Sequence, residues 1–350
     1  MIEKSISEKV LVIGPDYRKP KGGIAQLLNT YSCIFANYNF VTTVGGSDKF
    51  RKLWNLFLAC WKLVYCLSTK DIHIVHIHSA SDISFFRKSI MIILTKLFNV
   101  KIILSLHAGD MLEFYEKYPR FIQKITNKCD VVIALTPYWQ REFAKRKFCH
   151  RIECIPNAIT LPSNNWKKTK ESKLRILFLG SICSYKGIFD VIRCFVENRD
   201  YLENRVVLNI CGIGESTYLN QMIVNGGLTE FVHNIGWVDG VKKEQMLNKS
   251  DILIQPSYIE AFGISVIEAM SYRLPVIGSK VGGIIDLIDD GVTGFLINAG
   301  DMKMFMKKLR VFIEKSELVE QMGNIAFEKV KKYYPVVIEK QLSDLYRSLL

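Results

Sequence analysis

Paired cysteines are missing from this sequence. Nine cysteines, an odd number, are scattered without the spacing of a zinc site. Cys60, Cys66, Cys149, Cys154, Cys194 and Cys211 mostly sit among apolar neighbours, as reduced core thiols of a cytosolic protein do. No uninterrupted apolar run reaches the roughly eighteen residues that a membrane span needs. The nearest, Leu53 to Leu67, carries Lys62. The polar start, Met1 to Lys9, is not a secretory signal. No D-x-D metal signature stands at a strand end, and Asp289-Asp290 reads as a turn before Gly291. Groove-reading or aromatic-interleaved basic elements are also lacking, which sets nucleic acid aside.

What is there fits a folded α/β protein. A chain of 350 residues with 49% hydrophobic and 23% charged residues makes two domains of ordinary size. The net charge of +13 is uneven: residues 1–165 hold 23 Lys/Arg against 12 Asp/Glu, and residues 166–350 hold 24 against 22. A basic first half suits anionic lipid or a phosphorylated substrate.

The chain is organised around Asp251 to Leu296. A buried strand, Ile252 to Ile254, is stopped by Gln255, Pro256 and Ser257. Glu260, Phe262 and Gly263 follow, then a helical apolar pattern containing Glu268, then a strand from Pro275 to Ser279 running into Gly282-Gly283. Glu260 thus leaves the carboxyl end of a parallel strand, where open α/β sheets bind ligands. One acid on the loop and one in the helix can hold two hydroxyl-bearing parts of an elongated ligand.

Similar strand–loop–helix units precede it. Val10 to Gly14 leads through Arg18, Lys21, Gly22 and Gly23 into a helix, where backbone N–H groups can approach a phosphate. Ile72 to His78 is a strand whose alternation puts His76 and His78 on one face and His73 on the other; His78 is expected at the ligand edge. His107 ends the strand Lys101 to Leu106, and Arg151 to Asn157 is the last strand of this half. A polar stretch, Pro162 to Ser172, is the expected linker, after which Leu174 to Gly180 restarts the pattern. Lys186 and Gly187 precede a helix, so the lysine can neutralise a diphosphate. Gly212 to Glu215 is a glycine turn that lacks the third glycine of a dinucleotide fingerprint, which weighs against an oxidoreductase. Trp237 is expected to pack. Phe50 to Leu67 and Phe85 to Phe98 are apolar helices with basic neighbours, suited equally to a membrane interface or to packing on the sheet.

Glu260 and Glu268 in this order with the Gly282-Gly283 and Gly291–Gly294 turns resemble the E-x7-E region of retaining glycosyltransferases of family 4. The resemblance implies the GT-B architecture: two Rossmann-like, doubly wound α/β domains facing across a cleft. It implies an acceptor-binding domain at 1–165, joined by a crossover helix at about 335–350, and a nucleotide-sugar-binding domain at 170–334. It further implies a donor site of Gly22, Gly23, Asn157, Ser181, Lys186, Gly214, Val238, Glu260, Phe262, Gly263 and Glu268, with His107, Lys186 and Glu260 nearest the chemistry. Glu268 would hold the ribose, Glu260 the sugar hydroxyls, and His107 the sugar near its reacting carbon. Ser181 stands where the family usually has arginine, with Arg18 or Lys21 as possible substitutes; a non-catalytic nucleotide-sugar-binding protein is the alternative. No metal or other cofactor is expected, since basic residues and helix ends replace the cation. The expected partners are a nucleotide sugar, a lipid-linked or other saccharide acceptor and an anionic membrane surface. The expected location is the cytoplasm, peripheral on the inner face of the cell membrane.

Overall fold

The computed structural model describes residues 1–18, 22–43, 49–159, 161–162 and 172–350. Lys21 and residues 163–171 of the expected linker lie outside them, as do the side chains of Arg51 and Lys52. The chain divides into two compact units, Met1–Thr160 with Tyr333–Leu350, and Leu161–Lys332.

In the first unit six strands form one parallel sheet: β1 (Val10–Gly14), β2 (Asn39–Thr42), β3 (Ile74–Ser79), β4 (Lys101–Leu106), β5 (Val131–Ala134) and β6 (Ile152–Cys154). Their order is β2-β1-β3-β4-β5-β6. The second unit repeats the plan with β7 (Leu174–Leu179), β8 (Val206–Cys211), β9 (Val232–Gly236), β10 (Ile252–Gln255), β11 (Val276–Ser279) and β12 (Gly294–Ile297), in the order β12-β11-β10-β7-β8-β9. Strands such as VLVIG and ILIQ are buried along their whole length, as parallel strands covered on both faces must be. In the first unit the two faces carry separate apolar cores, one around Leu11, Phe85 and Phe143 and one around Val12, Leu28 and Tyr346.

Strand order fixes where each sheet opens. The chain winds one way from β7 through β8 to β9, then returns to lay β10 on the other side of β7. The loops after β7 and β10 therefore diverge and leave a crevice at their carboxyl ends, as do those after β1 and β3 in the first unit.

Several elements differ from the sequence reading. Strand β3 begins at Ile74, so His73 lies outside it, bonded to Asp71 at 2.8 Å. The short strand β2 carries too little pattern to be read alone. The stretch from Met302 to Tyr334, which reads from the sequence as helical and charged, is two helices, Met302–Glu314 and Ser316–Val330, followed by a 3-10 turn at Lys331–Tyr333. The last helix, Pro335–Arg347, packs on the first unit, where Tyr346 is fully buried beside Phe35 and His76.

Candidate functional site

In the second unit the loops at the carboxyl edge interlock through their backbones. The Ile182 N–H donates to the Ile213 carbonyl at 2.8 Å, and the Glu215 N–H returns to the Ile182 carbonyl at 2.8 Å. The Tyr258 N–H donates to the Tyr185 carbonyl at 2.8 Å. Gly187, at φ +72°, lets this happen: a Cβ there would lie 2.1 Å from the Pro256 carbonyl oxygen. Gly214, at φ +145°, makes the same close approach to the Ile182 carbonyl.

Into this scaffold, at the β7/β10 crevice, project Lys186 and Glu260. The Lys186 ammonium donates to Glu260 Oε2 at 2.6 Å, both side chains being mostly buried. Gln255, the buried last residue of β10, donates from Nε2 to Ser257 Oγ at 2.9 Å and to Glu260 Oε2 at 3.3 Å. Its Oε1 accepts from Ser265 Oγ at 3.0 Å. A carboxylate oxygen held by two donors presents one fixed edge, and its partner ammonium keeps two of its three donors for an anion. Gly263, at φ +95°, caps the helix Ile264–Ser271, and the Phe262 ring is buried, leaving only its backbone for a ligand. Glu268, in the second turn of that helix, accepts from Lys243 at 2.6 Å. The structure thus joins Lys186 and Glu260 in one pair and gives Glu268 a separate lysine. Val238 is buried and Ser181 exposed. Trp237, expected to pack, instead stands half out with its indole N–H on Asp239 at 3.1 Å. It follows β9, the edge strand of its sheet.

The first unit places imidazoles at the ends of β3 and β4. His107 follows β4, and its Nε2 meets His78 Nδ1 at 2.9 Å. His78, expected at the ligand edge, is instead buried and stacked on His76, with ring centroids 4.3 Å apart. His76 bridges Tyr346 Oη at 2.8 Å and Ser105 Oγ at 2.7 Å. Burial pushes His76 and His107 down to about 3, and His78 well below the usual imidazole range. Neutral rings follow at any working pH. His78 Nε2 is buried and unpartnered among the described residues. A bare ring nitrogen is cheaper to bury than an unpaired N–H. His78 therefore donates from Nδ1, His107 accepts at Nε2, and the His107 proton sits on Nδ1. Gly22, exposed at φ +103°, caps the helix Gly23–Ile34, and Arg18 is bonded to Asp16 at 2.8 Å. Asn157 is buried with its Oδ1 unpartnered among the described residues.

Two groups were not singled out from sequence. Lys88 is buried, with Thr43 Oγ1 as its partner, and burial lowers its ammonium to about 7. Lys243 sits on a charged helix where spacing does not mark which lysine turns inward. Among the described residues no cluster of His, Cys, Asp or Glu is placed to hold a metal.

Comparison with known proteins gives the class. Residues 9–161 match the profile of Glycosyltransferase Family 4 and residues 163–329 that of Glycosyl transferases group 1. The chain belongs to the group 1, family 4 glycosyltransferases, transferase enzymes of GT-B fold. It is 24% identical over 297 residues to a 41.2 kDa protein in the cps region of Klebsiella pneumoniae, covering 79% of this chain and 80% of that one. It is 27% identical over 180 residues to the capsular polysaccharide biosynthesis glycosyltransferase CapM of Staphylococcus aureus, covering 49% and 46%. Anabaena HepE, solved with UDP and glucose, shares the fold at a TM-score of 0.74 with 17% identity, covering 97% and 100%. The match spans less than half the length of CapM and only 20% of another curated relative.

Proposed function

We propose that the chain transfers a sugar from a nucleotide-diphosphate sugar to a lipid-linked saccharide during surface polysaccharide assembly, retaining the anomeric configuration. The observation that carries the reading is the Lys186–Glu260 pair, 2.6 Å apart in the crevice where the second sheet changes winding direction. A buried ammonium there can take the diphosphate as charge builds on it, while Glu260 and the backbone of Phe262 and Gly263 take sugar hydroxyls. Glu268, freed from or shared with Lys243, takes the ribose. Gly214 and Val238 line the nucleoside end. On the family resemblance, Gly22 and Gly23 meet the phosphates, and Asn157 and the His107 Nδ1–H meet the sugar. Kinship with CapM and with a cps-region protein supports the polysaccharide setting, and HepE's complex with UDP and glucose supports a UDP-sugar among the donors.

The reaction runs without a metal, because Lys186 and the helix ends supply the positive charge. Retention follows if the leaving phosphate accepts the acceptor's proton on the face it leaves. A panel of UDP-, GDP- and ADP-sugars in a thermal-shift assay tests the donor site, since a ligand of the native state raises the melting point. One donor is expected to stabilise the wild type and not Lys186→Ala. No shift from any of them removes the reading. Stabilisation without donor consumption, when lipid-linked acceptor is supplied, leaves a binding protein. Loss of activity in chelator, restored by Mn²⁺, removes metal independence. The chain would work in the cytoplasm, at the inner face of the membrane holding its acceptor.

A further inference from the structure

The helix Lys49–Thr69 carries an apolar stripe that faces solvent. Trp54, Phe57, Leu58, Trp61 and Tyr65 are 43–63% exposed. Their spacing places them within about one third of the helix circumference. Ala59, Leu63 and Cys66, on the opposite side, are buried in the core shared with Phe85, Met91 and Ile92. Packing on the sheet and facing outward are therefore both true of this helix, on different sides.

Its neighbour, the helix Asp82–Thr95, repeats the arrangement. Phe85, Met91 and Ile92 are buried, whereas Ile83, Phe86, Ile90 and Ile93 are 39–71% exposed. The two helices pack side by side and bury their inner stripes in one core. They lie on the same face of the sheet, so their outer stripes adjoin. Two indoles, two phenyl rings, a phenol and four aliphatic side chains form a patch of a kind that soluble monomers rarely leave open.

The charge around the patch chooses its partner. Residues 48–96, which hold both helices, carry eight Lys/Arg against three Asp. Among the described side chains Lys62, Lys70 and Lys96 are exposed, and Lys96 also meets Asp130 at 3.6 Å. Two-fold pairing with a second copy would bring this positive charge against itself, whereas an anionic surface neutralises it. Tryptophan and tyrosine, with apolar bodies and polar tips, suit the headgroup boundary. Among the described residues no helix is long and apolar enough to cross a membrane, so the contact lies in the plane of the interface.

We propose that this two-helix face docks the first unit onto an anionic lipid bilayer, the aromatic stripe entering the headgroup region. The proposal deepens the lipid-linked acceptor reading but is argued from exposure and charge alone. The test is flotation of the full chain with phosphatidylcholine vesicles, with and without phosphatidylglycerol, at low and high salt. The wild type is expected to float with the anionic vesicles at low salt and to lose binding as salt rises, with a blue shift of tryptophan emission. The triple variant Trp54→Ser, Phe57→Ser, Trp61→Ser is expected to lose on the order of a hundredfold in vesicle partition. Because these side chains are exposed, its melting point and its thermal shift with the donor sugar should stay as in the wild type. A wild type left at the bottom of the gradient at low salt overturns the proposal. So does a wild-type dimer by light scattering that the triple variant turns into a monomer without any flotation. Neither result touches the donor reading, which the thermal shift reports separately.

Discussion

The two units share one plan, a six-stranded parallel sheet whose winding reverses once, yet they furnish its carboxyl edge in opposite ways. The second places charge there: Lys186 on Glu260 and Lys243 on Glu268, each at 2.6 Å. The first places buried neutral imidazoles at the ends of β3 and β4, and among the described residues Lys88 bonds a hydroxyl. A fixed charge pair suits a ligand that gains charge during reaction; neutral donors suit hydroxyls that do not. The fold thus leaves the choice of ligand to the side chains at its strand ends.

Lys186→Ala strikes this contrast hardest. Donor turnover should fall on the order of a hundred- to a thousandfold, or about 3–4 kcal/mol of transition-state stabilisation. Near-normal steady-state kinetics would mean that the charged edge is not where the reaction happens.

At the first unit's edge, Lys88→Met should stabilise the unit by about 1–3 kcal/mol, because among the described residues the buried ammonium meets a hydroxyl and no carboxylate. Thr43 Oγ1 keeps its bond to the Gly14 carbonyl at 3.1 Å. Calorimetry checks it; a lower melting point would show that the lysine is better satisfied than the geometry implies.

His107→Ala should slow transfer about tenfold, the worth of one neutral hydrogen bond. His78→Ala should cost a few-fold, by releasing the His107 tautomer. Equal and large losses in both would instead argue for collapse of the edge, which the melting points of the two variants would show.

Stability against pH tests the buried imidazoles together. His76 and His107 titrate near 6.5 unfolded and at about 3 folded. Between those values the unfolded chain binds more protons, so stability rises with pH. It is complete above roughly pH 6.5 and is lost as pH falls below that value. The melting point should therefore drop from roughly pH 7 to roughly pH 5, and His76→Asn should flatten the drop. A flat wild-type profile would place the rings in water.

Much of the fold was legible because its strands are apolar along their length. VLVIG and LRILFL can be little else, and Gly187 and Gly263 mark turns where the backbone takes positive φ. Glu260 was legible as a residue leaving a strand end, and Lys186 as one preceding a helix. Their mutual contact was not, being 74 positions apart in sequence. Lys88 was hidden for a similar reason: its partner lies 45 positions away, and nothing in its apolar helix marks which basic residue turns inward. The apolar helices were ambiguous because a helix with two apolar sides reads the same whether one or both are covered.

Gln255 shows how narrowly a supporting residue can be defined. Its amide uses both ends, giving hydrogens to Ser257 and Glu260 and taking one from Ser265. Glutamate has nearly the same shape but would turn an oxygen toward the Glu260 carboxylate and repel it. At the close of β10, then, polarity rather than size is what the chain must keep.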